Sequence, residues 1–323
     1  MEEVHFLNGF FRKIVNLSQS RLIRSKKNVY SFRFRVMGTF ASITVVEGNL
    51  LKVLNCVISS FFMLHKIENL MSRFLLSSDV GRINESRVGE AVNIHPLTAE
   101  VLSLSIQWAE ASEGKFDPCI GELTELWNIA TRVIPPSPRI LTNLAAKKSY
   151  TGIYLEYNLQ YGWRVIKSRN VRVDLGGIAK GYGVDRVVTV LKMKKIENAL
   201  VNVGGDLYAL GRSERGTPWR IALRDPLNPE RSSGYIDLEN EAVAGSGDYY
   251  QYFQYSGRRY HHILNPDTAE PHETGIHGIY VRANDCVTAD AAATTVFGTS
   301  DPTDVDSLLT QCPGNARIVT PAL

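Results

Sequence analysis

An α+β architecture follows from three features of the 323-residue sequence. Long β-branched and aromatic runs mix irregularly with a few helical stretches, unlike the alternation that builds a doubly wound parallel sheet. Thirteen prolines and 25 glycines, many of them clustered, break the chain into many loops and turns. Neither G-x-G-x-x-G with a following acid nor G-x-x-x-x-G-K-[ST] occurs, which leaves an ordinary dinucleotide fold or P-loop unsupported. The length suits one large domain or two intimately joined lobes. Residues 1–30 read as a basic leader and 31–323 as a single domain.

Phe32–Met37 and Phe40–Val46 predict a hairpin around Gly38-Thr39. Leu51–Asn69 has helical periodicity, as does Ala99–Ser112, with Gly114 as its stop. Pro135–Pro138 reads as a loop. Tyr150–Leu155 and Trp163–Val173 read as strands, and Val184–Lys195 as a helix. Strands follow at Ala199–Val203, Trp219–Leu223, Gly234–Leu238 and Gly278–Arg282. Arg258–Thr268 reads as a strand ending at Asn265-Pro266, with one of His261 and His262 facing inward and the other outward.

Composition is that of a globular protein, with 44% hydrophobic and 21% charged residues. The net charge of +3 is uneven: residues 1–46 carry +6, leaving −3 for the remainder. That distribution is no whole-protein nucleic-acid footprint. Residues 4–27 are basic and partly amphipathic, and read either as a frayed leader or as a contact for an anionic membrane. No export signal or lipid-anchor cysteine is seen, and apolar runs such as Cys56–Leu64 read as too short to span a bilayer. The expected location is cytoplasmic or peripheral at a membrane. Cys56, Cys119, Cys286 and Cys312 form no C-x-x-C pair and read as reduced thiols.

In C-V-T-A-D-A-A-A-T-T (Cys286–Thr295), Asp290 and Thr294 stand four residues apart across three alanines, on one face if helical. Carboxylate and hydroxyl are hard donors of the kind Mg²⁺ takes; the stretch reads equally as a plain small-residue helix with an acid near its start. Val171–Asp185 and Val201–Asp206 each carry a glycine pair after a β-branched run, which lets backbone amides approach a phosphate or ring, or simply makes a tight turn. Lys180 falls at a strand-to-helix turn beside helix amides, a place for an anion. Ser246-Gly247-Asp248 reads as a turn able to hold a ligand, since Ala244 breaks the G-x-S-x-G elbow. Four of the seven histidines fall within His261–His277, but His272 and His277 are five apart and do not make a zinc helix. A histidine at a strand end beside a phosphate site can act as a general base.

These motifs recur in a familiar order: Met37-Gly38-Thr39; M-S-R-F with Ser78-Asp79 and Asn84; F-D-P-x-x-G-x-L-x-x-L-W; D-L-G-G-I-A-K-G-Y-x-x-D; V-N-V-G-G-D; W-x-I-A-L-R-D-P; S-G-D-Y; H-I-L-N-P; and T-A-D-A-x-A-T. Across residues 32–300 the chain resembles the FAD:protein FMN transferase family, the ApbE type. The resemblance implies a T-fold-like α+β domain with mixed or antiparallel sheets and packed helices. It implies Mg²⁺ and FAD as substrate, with FMN passed to a Ser/Thr hydroxyl of an acceptor flavoprotein and AMP released. It implies Asp290, Thr294 and the Ala179 carbonyl as metal ligands, and His262 as the residue activating the acceptor. Met37, Thr39, Phe116, Asp117, Asp174, Lys180, Gly204, Gly205, Asp206, Ser246, Gly247 and Asp248 match its FAD-contacting segments. Gly245 stands where threonine is more usual, and Ala269-Glu270 where Gly-Arg is common. Two other readings are an FAD pyrophosphatase yielding FMN and AMP, and a flavin carrier without chemistry.

Overall fold

The structure, a computed structural model, describes residues 21–26, 28–145, 147–228, 230–273, 276–297, 299 and 302–319. Strands β1 (Arg21–Lys26), β2 (Val29–Val36) and β3 (Thr39–Val46) open the main sheet. Helices α1 (Leu50–Met71), α2 (Asp79–Glu85) and α3 (Pro96–Ala111) follow, with β4 (Ala91–Asn93) between the last two. Short helices α4 (Gly121–Trp127) and α5 (Pro138–Leu144) lead to β5 (Ile153–Asn158), β6 (Gly162–Lys167) and helix α6 (Ala179–Met193). Then come β7 (Ala199–Val203), β8 (Asp206–Leu210), β9 (Trp219–Arg224), β10 (Ser232–Leu238) and β11 (Glu241–Gly247). The chain continues through β12 (Tyr252–Tyr255), β13 (Arg258–His261), β14 (Leu264–Asn265), β15 (Glu270–Pro271) and β16 (Gly278–Ala283). Helices α7 (Cys286–Val296) and α8 (Pro302–Gln311) and strand β17 (Arg317–Ile318) complete it.

The eight-stranded sheet runs β1-β2-β3-β7-β8-β11-β16-β17, and every neighbouring pair is antiparallel. Alternation decides its faces. Phe32, Phe34, Ala41, Ile43 and Val45 are fully buried against Val53, Val57, Phe61 and Leu64 of α1 and Val184, Val187 and Leu191 of α6. The opposite face at β8 and β11 is covered by the β9–β10 hairpin, through Trp219, Leu223 and Leu238. A second core joins the lower part of α1, α3, α7 and α8 to the small β4-β6-β5 sheet around Trp108. The α+β expectation is met.

Several local expectations shift. The first hairpin turns at Met37-Gly38, one residue earlier than read, with both residues at positive φ (53° and 70°) and Val36 paired with Thr39. That is the two-residue geometry whose twist suits a hairpin; a non-glycine there is held because Met37 N–H donates to Glu68 Oε1 at 2.8 Å. Pro138 opens α5 instead of lying in a loop, as proline can at a first helical turn. The strand expected over Trp163–Val173 stops at Lys167, and Ser149–Gly152 form a 3₁₀ turn before β5. Arg258–Thr268 divides into β13 and β14. Ser246 and Gly247 lie in strand β11, paired with Ile279 and Gly278, not in a turn. The sheet also takes in Arg21–Lys26, assigned from sequence to the leader; residues 1–20 lie outside the described residues. Helix α1 has the length and composition to cross a bilayer, contrary to the reading from short apolar runs, but its apolar stripe is packed onto the sheet. All four cysteines are free and buried.

Candidate active site

Helices α6 and α7 cross where α6 begins, and their contact is made by glycine. A Cβ on Gly181 would lie 2.2 Å from the Cys286 carbonyl oxygen and 2.8 Å from Asp290 Cβ. The two helices cap one another. Asp290 of α7 accepts from Gly181 N–H at 2.9 Å, in the first turn of α6. Asp185 of α6 accepts from Cys286 N–H and Val287 N–H at 2.9 and 2.8 Å, at the start of α7. Each carboxylate satisfies helix amides that have no partner within their own helix. The sequence expectation of free amides beside Lys180 is therefore corrected at Gly181, whose amide is taken by Asp290.

Lys180, the second residue of α6, reaches back to two acids. Its Nζ lies 3.0 and 3.1 Å from the two Asp290 oxygens and 2.6 Å from Asp206 Oδ2. Asp206 opens β8 after the Gly204-Gly205 turn, whose φ values of 66° and 109° suit glycine. A Cβ on Gly204 would meet Thr39 Cγ2 at 2.9 Å and Lys180 Cδ at 3.5 Å. The turn thus seats Thr39 and the Lys180 stem together. Burial opposes the charge on Lys180, yet Asp206 and Asp290 outweigh it and hold the ammonium above its ordinary range. Burial, followed by the nearby Asp290 charge, pushes Asp206 upward.

Beside this cluster, Thr294 Oγ1 lies 3.4 Å from the Gly177 carbonyl. A Cβ on Gly177 would come within 3.0 Å of Thr294 and 3.3 Å of Phe116. Ala179 starts α6 and is buried. Asp174 is tied to Arg73 Nε at 3.1 Å, to the Thr124 hydroxyl at 2.9 Å and to Gly176 N–H at 2.9 Å. Asp117 is a loop anchor: it accepts from Cys119 N–H and Tyr150 N–H, and burial raises its carboxyl to about 6.

His262 follows β13 and is exposed, whereas His261 is buried at 3% exposure, so the expected alternation holds. His261 Nε2 bonds the His272 carbonyl at 2.9 Å. His262 Nδ1 faces the Gln251 carbonyl at 3.3 Å, which requires Nδ1 to carry the proton and leaves Nε2 with its lone pair. Desolvation by the surrounding protein, then the His261 and Lys180 charges, lowers His262 from its ordinary value. Asp248 is buried between Arg259 Nη1 at 3.1 Å and His277 Nδ1 at 2.8 Å. Ser246 and Gly247 are held by the strand pairing, and a Cβ on Gly247 would strike the Tyr249 ring at 2.3 Å.

The sequence profile of the ApbE family matches residues 37–318, most of the chain and every element of this cluster. The chain belongs to the ApbE family. An FAD:protein FMN transferase of Vibrio cholerae is 33% identical over 234 residues, 72% of this chain and 70% of that one. One of Treponema pallidum is 26% identical over 288 residues, 85% of this chain and 80% of that one. Among solved structures, the ApbE protein of Thermotoga maritima superposes with a TM-score of 0.80 at 30% identity, covering 90% of this chain and 94% of that one. The flavinyl transferase ApbE of Pseudomonas stutzeri gives 0.77 at 26% identity, covering 95% and 93%.

Within the ApbE frame, the donor set fits a hard divalent cation. One carboxylate, one hydroxyl a helical turn later and main-chain carbonyls at the start of α6 are the ligands Mg²⁺ accepts, and the bare Gly177 keeps that corner open. No cluster of three or more His, Cys, Asp or Glu side chains suited to a metal occurs among the described residues. A cation here would therefore use backbone and hydroxyl oxygens beside Asp290. Sequence reasoning missed Glu68, which fixes the Met37 turn from α1, and the tyrosines Tyr249 and Tyr280, which lie on Gly247 and Gly245. The contact between Asp206 and Lys180 was also not foreseen. Only the glycines opposite the tyrosines, where side chains are excluded, signalled these contacts.

Proposed function

We propose that this protein is an FAD:protein FMN transferase, with residues 31–323 as one flavin-transferase domain. The carrying observation is the Lys180–Asp290–Asp206 cluster at the α6–α7 crossing, with Thr294 beside it and His262 in the surrounding shell. Asp290, Thr294 and the Ala179 carbonyl would hold Mg²⁺, which when bound neutralises charge on the FAD pyrophosphate. Lys180 supplies a fixed positive charge to the same phosphates. His262, neutral at pH 7 because its proton affinity is depressed, takes the proton of the acceptor Ser/Thr hydroxyl at Nε2. The hydroxyl oxygen bonds to the FMN phosphorus, the phosphoanhydride bond breaks, and AMP leaves with that bond's electron pair. With little covalent work for the protein, positioning and charge stabilisation carry the rate.

The flavin is set against the Met37–Thr39 and Gly204–Gly205 turns in this reading, with Asp174 and Ser246–Asp248 shaping the rim. Acceptor proteins carrying a Ser/Thr-Gly-Ala-Thr-like segment are the expected partners, and the basic segment 1–30 is a candidate for peripheral membrane contact. Coupling of AMP release to the acceptor separates this from the pyrophosphatase reading. With FAD and Mg²⁺, AMP should appear slowly alone and rapidly, one per acceptor, once acceptor is added. Fast AMP and FMN release without acceptor would favour hydrolysis. Retention of full transfer by Asp290→Ala would remove the metal assignment.

A further inference from the structure

One contact in the cluster conflicts with a metal on Asp290. Lys180 spans both oxygens of that carboxylate and Gly181 N–H adds a third bond to Oδ2. A divalent cation and an ammonium sharing this one carboxylate, which is 4% exposed, repel each other at short range, and the partial exposure of Lys180 screens them only in part. The ammonium has a second partner already in place. Asp206 is 2% exposed and Lys180 is the cation it touches, at 2.6 Å.

Resting on the metal reading above, we infer that Lys180 and the cation compete for Asp290, and that Asp206 is the positioning residue that draws the ammonium off it. Cation entry then shifts the Lys180 charge onto Asp206, at the edge of the phosphate region, instead of expelling it into solvent. Asp206 sets how readily the site accepts a metal without touching the metal or the flavin. Asp206 is the buried member of this pair and would be costly to leave unpaired; with Asp206 neutral, Asp290 is the one acid left within reach of Lys180.

The two residues therefore act on metal affinity with opposite signs, which simple damage to the fold would not produce. The test is Mn²⁺ binding to the full chain without FAD, followed by electron paramagnetic resonance. Lys180→Met should bind Mn²⁺ about tenfold more tightly than wild type, and Asp206→Asn about tenfold more weakly, typical of coupled contacts. The double variant Lys180→Met/Asp206→Asn removes the buried charge pair together. It should bind no more weakly than wild type, which keeps the test open if Asp206→Asn alone does not fold. Weakening in both single variants, or a double variant as weak as Asp206→Asn, would overturn the competition. Unchanged Mn²⁺ binding in Asp290→Ala would overturn the metal reading itself, and the inference with it.

Discussion

Replacing Gly181 by alanine tests the geometry on which the site depends. The new Cβ would sit 2.2 Å from the Cys286 carbonyl oxygen, where ordinary contact begins at 3.4 Å, so α6 and α7 must part by roughly 1.2 Å. Two effects oppose each other. Alanine favours a helix interior over glycine by about 1 kcal/mol. Forcing a methyl into a packed contact costs about 1–3 kcal/mol, at the upper end where the obstacle is backbone that cannot rotate away. The clash should win, with a net loss of about 1–2 kcal/mol, which for a chain of 323 residues is a fall in Tm of about 1.5–3 °C. Activity should suffer more than stability. Parting the helices stretches the 2.9 Å bond from Gly181 N–H to Asp290 and withdraws Asp290 from Lys180. A displacement near 1 Å at a reacting centre can cost about 100-fold in rate. Differential scanning calorimetry and FMN-transfer rates on the same preparation are the measurements. Wild-type melting and rate together would refute the close-crossing account.

Three further outcomes are expected. Gly204→Ala should lose about 1–3 kcal/mol by thermal melting, because φ is 66° there and the methyl would press on Thr39; an unchanged Tm would show that the turn is not held as described. Asp185→Asn should lose about 1–2 kcal/mol, since the amide can accept from only one of the two α7 amides. Denaturant unfolding checks this, and a neutral result would detach Asp185 from the α7 terminus. Burial, then the His261 charge, lowers His272 from 6.5 to about 4. The unfolded chain therefore takes up this proton first as pH falls, and stability attributable to His272 is lost from about pH 6.5 down to about 4. His272→Gln should flatten the stability profile in that window, and an unaltered slope would exclude the residue as a source.

Much of this was legible in the sequence, for reasons visible in particular residues. The alternating β-branched and aromatic residues of Phe32–Val36 and Ala41–Val45 mark the hairpin, and one side of each strand is buried in the core. The i, i+4 spacing of Asp290 and Thr294 gave one helix face, and α7 carries both. What escaped were contacts made across the fold. The Met37-Gly38 turn depends on Glu68, 31 residues away, and the strand expected to reach Val173 ends at Lys167. The resemblance set Asp206 among the FAD-contacting segments and did not foresee its contact with Lys180. That partner is 26 positions earlier in the chain, and no local pattern announces an ion pair at that separation.

The most direct test of the central claim is intact-mass measurement of an acceptor protein after incubation with this enzyme, FAD and Mg²⁺. The account predicts a mass gain equal to FMN on a Ser or Thr of the acceptor. That gain should be abolished by Asp290→Ala and greatly slowed by His262→Ala. FAD converted to FMN and AMP with no mass gain on any competent acceptor would contradict it.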